Sequence, residues 1–153
     1  MFRTLDHKLA RHDRYAKAAL RVALGAVFVA HAYGKAAVFT FAGTEAYFTA
    51  NGFPAWTVYP VFAAELLGGI ALLAGFRVRA VALALVPVML GALSSHLGNG
   101  WMFSSNGGGW EYPAFLIVAL VAQAILGAGA FAFDTARAET EPDDRRKVLA
   151  RAA

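Results

Sequence analysis

Long apolar runs separated by short polar stretches dominate the chain. Residues 58–76 form one such run, VYPVFAAELLGGIALLAGF, which contains a single carboxylate, Glu65. Because about 20 apolar residues cross the roughly 30 Å hydrocarbon layer of a bilayer, this run predicts a transmembrane helix. A carboxylate in the middle of such a helix costs on the order of 2.5–3.5 kcal/mol. We therefore expect Glu65 to face protein or a cavity and to have a polar partner.

The same pattern recurs three more times along the chain. The turn that carries Arg77 and Arg79 is very short, so the runs on either side of it are expected to form an antiparallel helical hairpin. Glycine, asparagine and proline mark the two longer connections as loops. Together the runs predict an all-α integral membrane protein, a bundle of four transmembrane helices. The further runs are residues 20–41, 80–97 and 110–133, and the loops are 42–55 and 98–109.

The basic residues lie in blocks beside the apolar runs. Of the 14 Lys and Arg residues, six lie within residues 1–21, two in the short turn and five in residues 135–153, whereas the two longer loops contain none. Because cytoplasmic loops of membrane proteins are enriched in Lys and Arg, both termini are expected in the cytoplasm. All three tryptophans would then lie at the outer membrane interface. This topology divides the chain into a basic cytoplasmic segment (1–19), a transmembrane domain (20–134) and a charged cytoplasmic tail (135–153).

Composition narrows the function classes. Hydrophobic residues make up 59% of the chain, which is well above the share in soluble domains. The net charge of +4 is spread over blocks that flank apolar runs, so it indicates membrane topology and a lipid bilayer as partner, with no nucleic acid. The chain has no cysteine, so it forms no disulfide and offers no thiolate for an iron–sulfur cluster or c-type haem. We expect neither haem nor an iron–sulfur cluster.

Five ionisable groups fall in the outer half of the predicted bundle: His31, Lys35, Glu65, His96 and Glu111. His31 and Lys35 are four residues apart and share one helix face. Because exposing such groups to lipid is unfavourable, we expect all five to converge on a cavity that is open to the outer side. Lys35 would pair with Glu65, and a histidine with Glu111, either as structural pairs or around a ligand. Two histidines and two carboxylates could also bind a metal, but no HxxxH or ExxH spacing is present and we predict no metal site.

Three further features have structural interpretations. Ala64 and Gly68 form a small-xxx-small pair that allows two helices to approach closely. Gln123 is expected to make a hydrogen bond between helices. Arg21 and Asp134 would lie near the cytoplasmic surface, where the arginine can extend toward water or pair at a helix end.

Four passages stand out in combination: LRVALGAVFVAHAYGK, PVFAAELLGGIALLAGFRVRA, the histidine of SSHLGNG, and GGGWEYPAFLIVAL followed by LGAGAFAFD. Together they resemble the DoxX family of small bacterial membrane proteins over residues 20–134. The resemblance implies a four-helix bundle in the bacterial cytoplasmic (inner) membrane and a link to quinone-coupled redox functions. It also places the five ionisable groups at the polar motif positions of the family.

The resemblance and the polar groups together suggest a membrane subunit of a quinone-linked oxidoreductase. His31, Lys35 and His96 would bind a quinone-like ligand, and Glu65 and Glu111 would act as catalytic proton-transfer groups. Because the chain has no redox group of its own, electrons would come from a soluble redox partner, a bound cofactor or a diffusible reductant. One alternative is a non-enzymatic membrane protein that binds a small molecule or anchors a soluble partner. A transport function is the other.

Overall fold

The computed structural model describes residues 12–133. The basic residues before position 12, Asp134 and the charged tail lie outside this part, so the predictions made for them stay predictions. Within it the chain is helical, with a single π-helical turn after the first helix and two short 3₁₀ turns. The α-helices are α1 (Asp13–Tyr33), α2 (Thr40–Ala50), α3 (Val58–Ala74), α4 (Val78–His96) and α5 (Glu111–Leu126).

Four of the helices form a bundle with an apolar surface. Helix α1 packs against α3 and α4 against α5, while contacts between α3 and α4 and between α1 and α5 close the ring. The core between them is aliphatic and aromatic, and the outward faces also carry large apolar side chains. Such outward faces are compatible with lipid, in which helices satisfy their own backbone hydrogen bonds. Exposed examples are Leu67, Ile70, Leu83, Phe115 and Ile125.

Three helical segments are long and apolar enough to cross a bilayer: Asp13–Val38, Ala55–Ala74 and Val78–Asn99. The fourth apolar run forms the shorter α5, whose 16 residues extend only about 24 Å. We expected this helix to reach residue 133, which is wrong. It ends at Leu126 because Gly127 takes φ +84° and ψ −166°, a conformation open mainly to glycine. The multi-pass membrane architecture is confirmed, while the count of four spans stays a prediction.

The first loop is more helical than expected. Helix α1 begins at Asp13, ahead of the predicted start, and after the π-helical turn the chain bends at Thr40, where φ is +61°. Residues 42–55 were expected to form a loop, yet α2 occupies them as far as Ala50. The turn-forming residues Asn51 and Gly52 follow directly after Ala50, and the helix ends where they begin.

The hairpin of α3 and α4 is confirmed. Gly75 adopts the left-handed conformation with φ +72°, and the N–H groups of Gly75 and Phe76 donate to the carbonyls of Leu72 and Ala71. These two bonds are the Schellman arrangement that closes a helix C-terminus. Helix α4 then begins only three residues later, which forces the two helices to be antiparallel neighbours.

Helices α1 and α3 touch through two glycines. A Cβ atom on Gly69 would lie 2.9 Å from the carbonyl oxygen of Gly25, and one on Gly25 would lie 2.9 Å from the carbonyl oxygen of Gly69. The close helix approach that was predicted at Gly68 is therefore made by the next residue, Gly69, against α1. Gly68 instead faces Leu85 of α4. Because Glu65 is one helical turn from Gly69, the crossing of the two helices also directs Glu65 toward α1.

Arg21 holds together the end of the bundle where α3 ends, which we call the arginine end. Its guanidinium donates to the carbonyls of Leu72 and Leu73 at the end of α3, and to those of Ala130 and Phe131 after α5, at 3.0–3.3 Å. Arg21 is only 1% exposed, so of the two roles expected for it the interaction at a helix end is found and the extension toward water is wrong. The carbonyls at a helix C-terminus carry partial negative charge, which favours the burial of a cation against the end of α3.

The end of α5 is held in a similar way. Arg79 donates to the carbonyls of Ala124 and Ile125 at 2.8 and 2.7 Å. Gln123 was expected to bond to another helix, but its side-chain N–H donates to the carbonyl of Gly127 at 2.6 Å. That expectation is wrong because α5 ends at Leu126, three residues after Gln123. The carbonyl of Gly127 therefore has no partner within the helix and accepts the hydrogen bond from the Gln123 side chain.

Candidate ligand-binding site

A cavity of about 760 Å³ lies at the other end of the bundle, which we call the loop end (α2 and residues 97–110). Its wall is built from the end of α1, the π-helical turn, α2, the first half of α3, the second half of α4 and the start of α5. Most of the wall is aliphatic or aromatic. Apolar lining residues include Phe39, Phe48, Phe53, Val61, Val88 and Met89.

An ion pair forms the main polar feature of this wall. The Lys35 ammonium contacts both carboxylate oxygens of Glu65, at 2.8 and 2.7 Å. The side chain of Glu65 is 6% exposed and that of Lys35 is 16% exposed. This confirms that Glu65 faces protein and that Lys35 is its partner. The amino group has three N–H bonds, so the two bonds to Glu65 leave one donor for a ligand.

The π-helical turn Gly34–Val38 positions Lys35. The Phe39 N–H donates to the carbonyl of Gly34 at 2.9 Å, which closes a wider turn than an α-helix has. The buried hydroxyl of Thr44 lies 2.9 Å from the Thr40 carbonyl and 3.2 Å from the Lys35 carbonyl. This hydroxyl ties α2 to the turn, so α2 forms one wall of the cavity next to the ion pair.

His31 lies at the end of α1 and lines the cavity. Its Nδ1 is 2.8 Å from the carbonyl oxygen of Val27, one turn earlier in the same helix. Its ring is nearly parallel to that of Tyr112, with an interplanar angle of 20° and ring centres 6.1 Å apart. The predicted pairing of Glu111 with His31 or His96 is not found, since all three side chains contact backbone groups.

His96 ends α4 and holds the loop that follows. Its Nδ1 lies 3.0 Å from the carbonyl oxygen of Gly108 and 3.2 Å from that of Gly107. The side-chain N–H groups of Asn99 donate to the same two carbonyls at 3.0 Å. The loop is thereby fixed against the end of α4, and His96 lines the cavity below it.

Glu111 does not line the cavity, contrary to expectation. As the first residue of α5 it turns toward the preceding loop, where its carboxylate accepts a hydrogen bond of 2.6 Å from the Phe103 N–H. Four of the five predicted groups thus lie in one cavity wall, and Glu111 supports the loop beside it. Within residues 12–133 no group of three or more His, Asp or Glu side chains is arranged to hold a metal.

Sequence reasoning missed several polar residues of the wall, among them Tyr112 and Thr44. A tyrosine at the start of a transmembrane helix is an ordinary interfacial residue, so its position gives no signal of a site. Thr44 lies in a segment expected to be a loop. Its contact with the π-helical turn depends on α2, which the pattern of the chain did not predict.

The comparisons with known proteins agree with the membrane architecture. The family model described as DoxX matches residues 16–98, somewhat more than half of the chain. The matched range includes four of the five predicted site residues and excludes Glu111. A search of curated proteins and a search of solved structures gave no match.

Proposed function

This chain belongs to the DoxX family of membrane proteins, and we propose that it is the membrane subunit of a quinone-linked oxidoreductase. In this proposal the cavity at the loop end binds a quinone-type ligand. The protein lies in the bacterial inner membrane with both termini in the cytoplasm, so the cavity opens toward the outer side.

The observation that carries the proposal is an apolar cavity with a few polar groups in its wall, inside a membrane-spanning bundle. Its volume of about 760 Å³ is within the roughly 300–1,000 Å³ of typical small-molecule sites. A quinone head group is a planar apolar ring with two carbonyl oxygens, which need hydrogen-bond donors. The third N–H of Lys35 is such a donor. The Tyr112 hydroxyl is a second one, since it makes no hydrogen bond in the described part of the chain.

Two residues have distinct parts in this proposal. Glu65 holds Lys35 in place, and it is the buried carboxylate of the cavity wall, so it is the residue that exchanges a proton with a bound ligand. Glu111 has no such part, since its carboxylate bonds to the loop backbone. Because the chain has no cysteine and no redox group of its own, a soluble redox partner, a bound cofactor or a diffusible reductant exchanges electrons with the ligand.

A second candidate is a non-enzymatic membrane protein that binds a small molecule or anchors a soluble partner. It is favoured by the fact that four polar side chains of the wall, those of His31, Lys35, Glu65 and His96, already have protein partners. Lys35 and Glu65 satisfy each other, and both histidines bond to backbone carbonyls. In this candidate the cavity binds its ligand without electron transfer.

The test is titration of the purified protein in lipid nanodiscs with a short-chain quinone, followed by the fluorescence of the tryptophans at the loop end. We expect saturable binding that Lys35→Met weakens by about tenfold or more, because the loss of one charged donor is worth about 1.5–3 kcal/mol. Lys17→Met is the matched control, since Lys17 pairs with Asp13 at the arginine end.

Three outcomes separate the candidates. Absence of saturable quinone binding would refute the proposed function. Equal loss of affinity in both lysine variants would place the ligand outside the cavity. Quinone that binds as expected but undergoes no reduction or oxidation in membranes that contain the native partners would favour the non-enzymatic candidate.

A further inference from the structure

The two histidines of the cavity wall have the same hydrogen-bonding state. The Nδ1 atom of His31 faces the carbonyl of Val27, and that of His96 faces the carbonyls of Gly107 and Gly108. A carbonyl oxygen can only accept a hydrogen bond. The proton of each neutral imidazole must therefore be on Nδ1, so each Nε2 is an acceptor.

Neither Nε2 atom has a hydrogen-bond partner within residues 12–133. The backbone fixes the tautomer of each ring, because moving the proton to Nε2 would place a nitrogen lone pair against a carbonyl oxygen. Since both histidines line the cavity, their Nε2 atoms are two acceptors that a ligand or water with hydrogen-bond donors can satisfy.

The charge of the wall limits the ligand as well. Lys35 and Glu65 are in contact through both carboxylate oxygens, so their charges cancel, and a histidine in its neutral form adds none. An anionic ligand would find no uncompensated cation here and would lose its hydration on entry. The wall therefore suits an uncharged ligand.

We propose that this cavity binds the reduced hydroquinone form of its ligand in preference to the oxidised quinone. The inference rests on the proposed function of the cavity as a quinone site. The hydroxyl groups of a hydroquinone donate to the Nε2 atoms of His31 and His96, whereas an oxidised quinone has only acceptor oxygens. A quinone oxygen beside either Nε2 places lone pair against lone pair.

The preference has a thermodynamic consequence for the bound couple. A site that binds the reduced form more tightly raises the reduction potential of the ligand. For a two-electron couple each tenfold difference in affinity shifts the potential by about 30 mV. We expect a preference of about tenfold. The reduction potential of the bound quinone should therefore lie about 30 mV above that of the free quinone.

The experiment compares three short-chain ligands under anaerobic conditions: a hydroquinone, its quinone, and its dimethyl ether, which retains the ring and both oxygens but has no O–H. We expect the hydroquinone to bind the wild-type protein about ten times more tightly than either of the others, as one lost hydrogen bond would cause. Equal affinities for the three ligands would overturn the inference while leaving the proposed function standing. Failure of all three to bind would refute the proposed function itself.

Two substitutions at each histidine identify the acceptor atom. Asparagine keeps an N–H group near the position of Nδ1 and lacks an atom at Nε2, whereas glutamine has a carbonyl oxygen that can reach the position of Nε2. We expect His96→Asn and His31→Asn to reduce the preference for hydroquinone and the two glutamine variants to retain it. A preference that persists in both asparagine variants, with thermal unfolding unchanged, would show that the histidines are not the acceptors and would overturn the inference.

Discussion

Replacing Gly69 with alanine should loosen the crossing of α1 and α3. The added methyl would lie 2.9 Å from the Gly25 carbonyl oxygen and 3.0 Å from the Val29 amide nitrogen. Both are backbone atoms of α1, so neither can rotate away, and the two helices must separate. Gly68→Ala is the matched control. The three atoms nearest to its methyl would all be side-chain atoms of Leu85, at 3.0–3.2 Å, and these can shift by a change of rotamer.

The expected magnitude comes from the difference between the two variants. Each gains about 0.5–1 kcal/mol from replacing glycine within a helix, and this gain cancels between neighbouring positions of α3. Overpacking costs about 1–3 kcal/mol where the surroundings cannot adjust. We therefore expect Gly69→Ala to be less stable to unfolding than Gly68→Ala by about 1–2 kcal/mol.

The assay is reversible unfolding of both variants in lipid bicelles, together with quinone titration. Separation of α1 from α3 also moves Lys35 away from Glu65, so Gly69→Ala should bind ligand more weakly than the control. Equal unfolding free energies for the two variants would refute the argument that backbone contact at the crossing limits the residue at position 69.

Three further predictions concern the ion pair, the arginine end and the topology. Glu65→Gln should lower the unfolding free energy by about 3 kcal/mol, because it leaves the charge of Lys35 in a largely buried site. Combining it with Lys35→Met should cost less than the sum of the two single changes, and additive losses in an unfolding cycle would contradict the pairing. Arg21→Lys should lower the unfolding temperature, since one ammonium cannot replace all four hydrogen bonds of the guanidinium and each buried carbonyl that loses its partner costs about 1–3 kcal/mol. An unchanged temperature would contradict the role of the guanidinium in joining the ends of α3 and of the segment after α5. Reporters fused after Gly107 and after Ala153 should have opposite sidedness, and equal sidedness would show that α5 does not span the membrane.

The pairing of Glu65 with Lys35 could be predicted because burying a charge costs much free energy and few side chains in the apolar runs can compensate it. A carboxylate in the middle of an apolar run requires a partner at similar depth, and Lys35 is the one lysine within an apolar run. The same reasoning was wrong for Glu111. At the end of a helix a carboxylate has many partners of nearly equal energy, and the backbone of a neighbouring loop proved to be the one used.

The sequence by itself determined the membrane class, the hairpin of α3 and α4, and the need of Glu65 for a partner. Each of these follows from a local property, namely the hydrophobicity of a run, the length of a turn or the desolvation of one charge. Only the tertiary structure decided that Gly69 and not Gly68 contacts α1, that Arg21 is buried, and that the Nδ1 atoms of both histidines face backbone carbonyls. These features depend on how each helix is rotated about its axis and where it ends. Contacts between residues distant in the chain set both, and no local pattern encodes them.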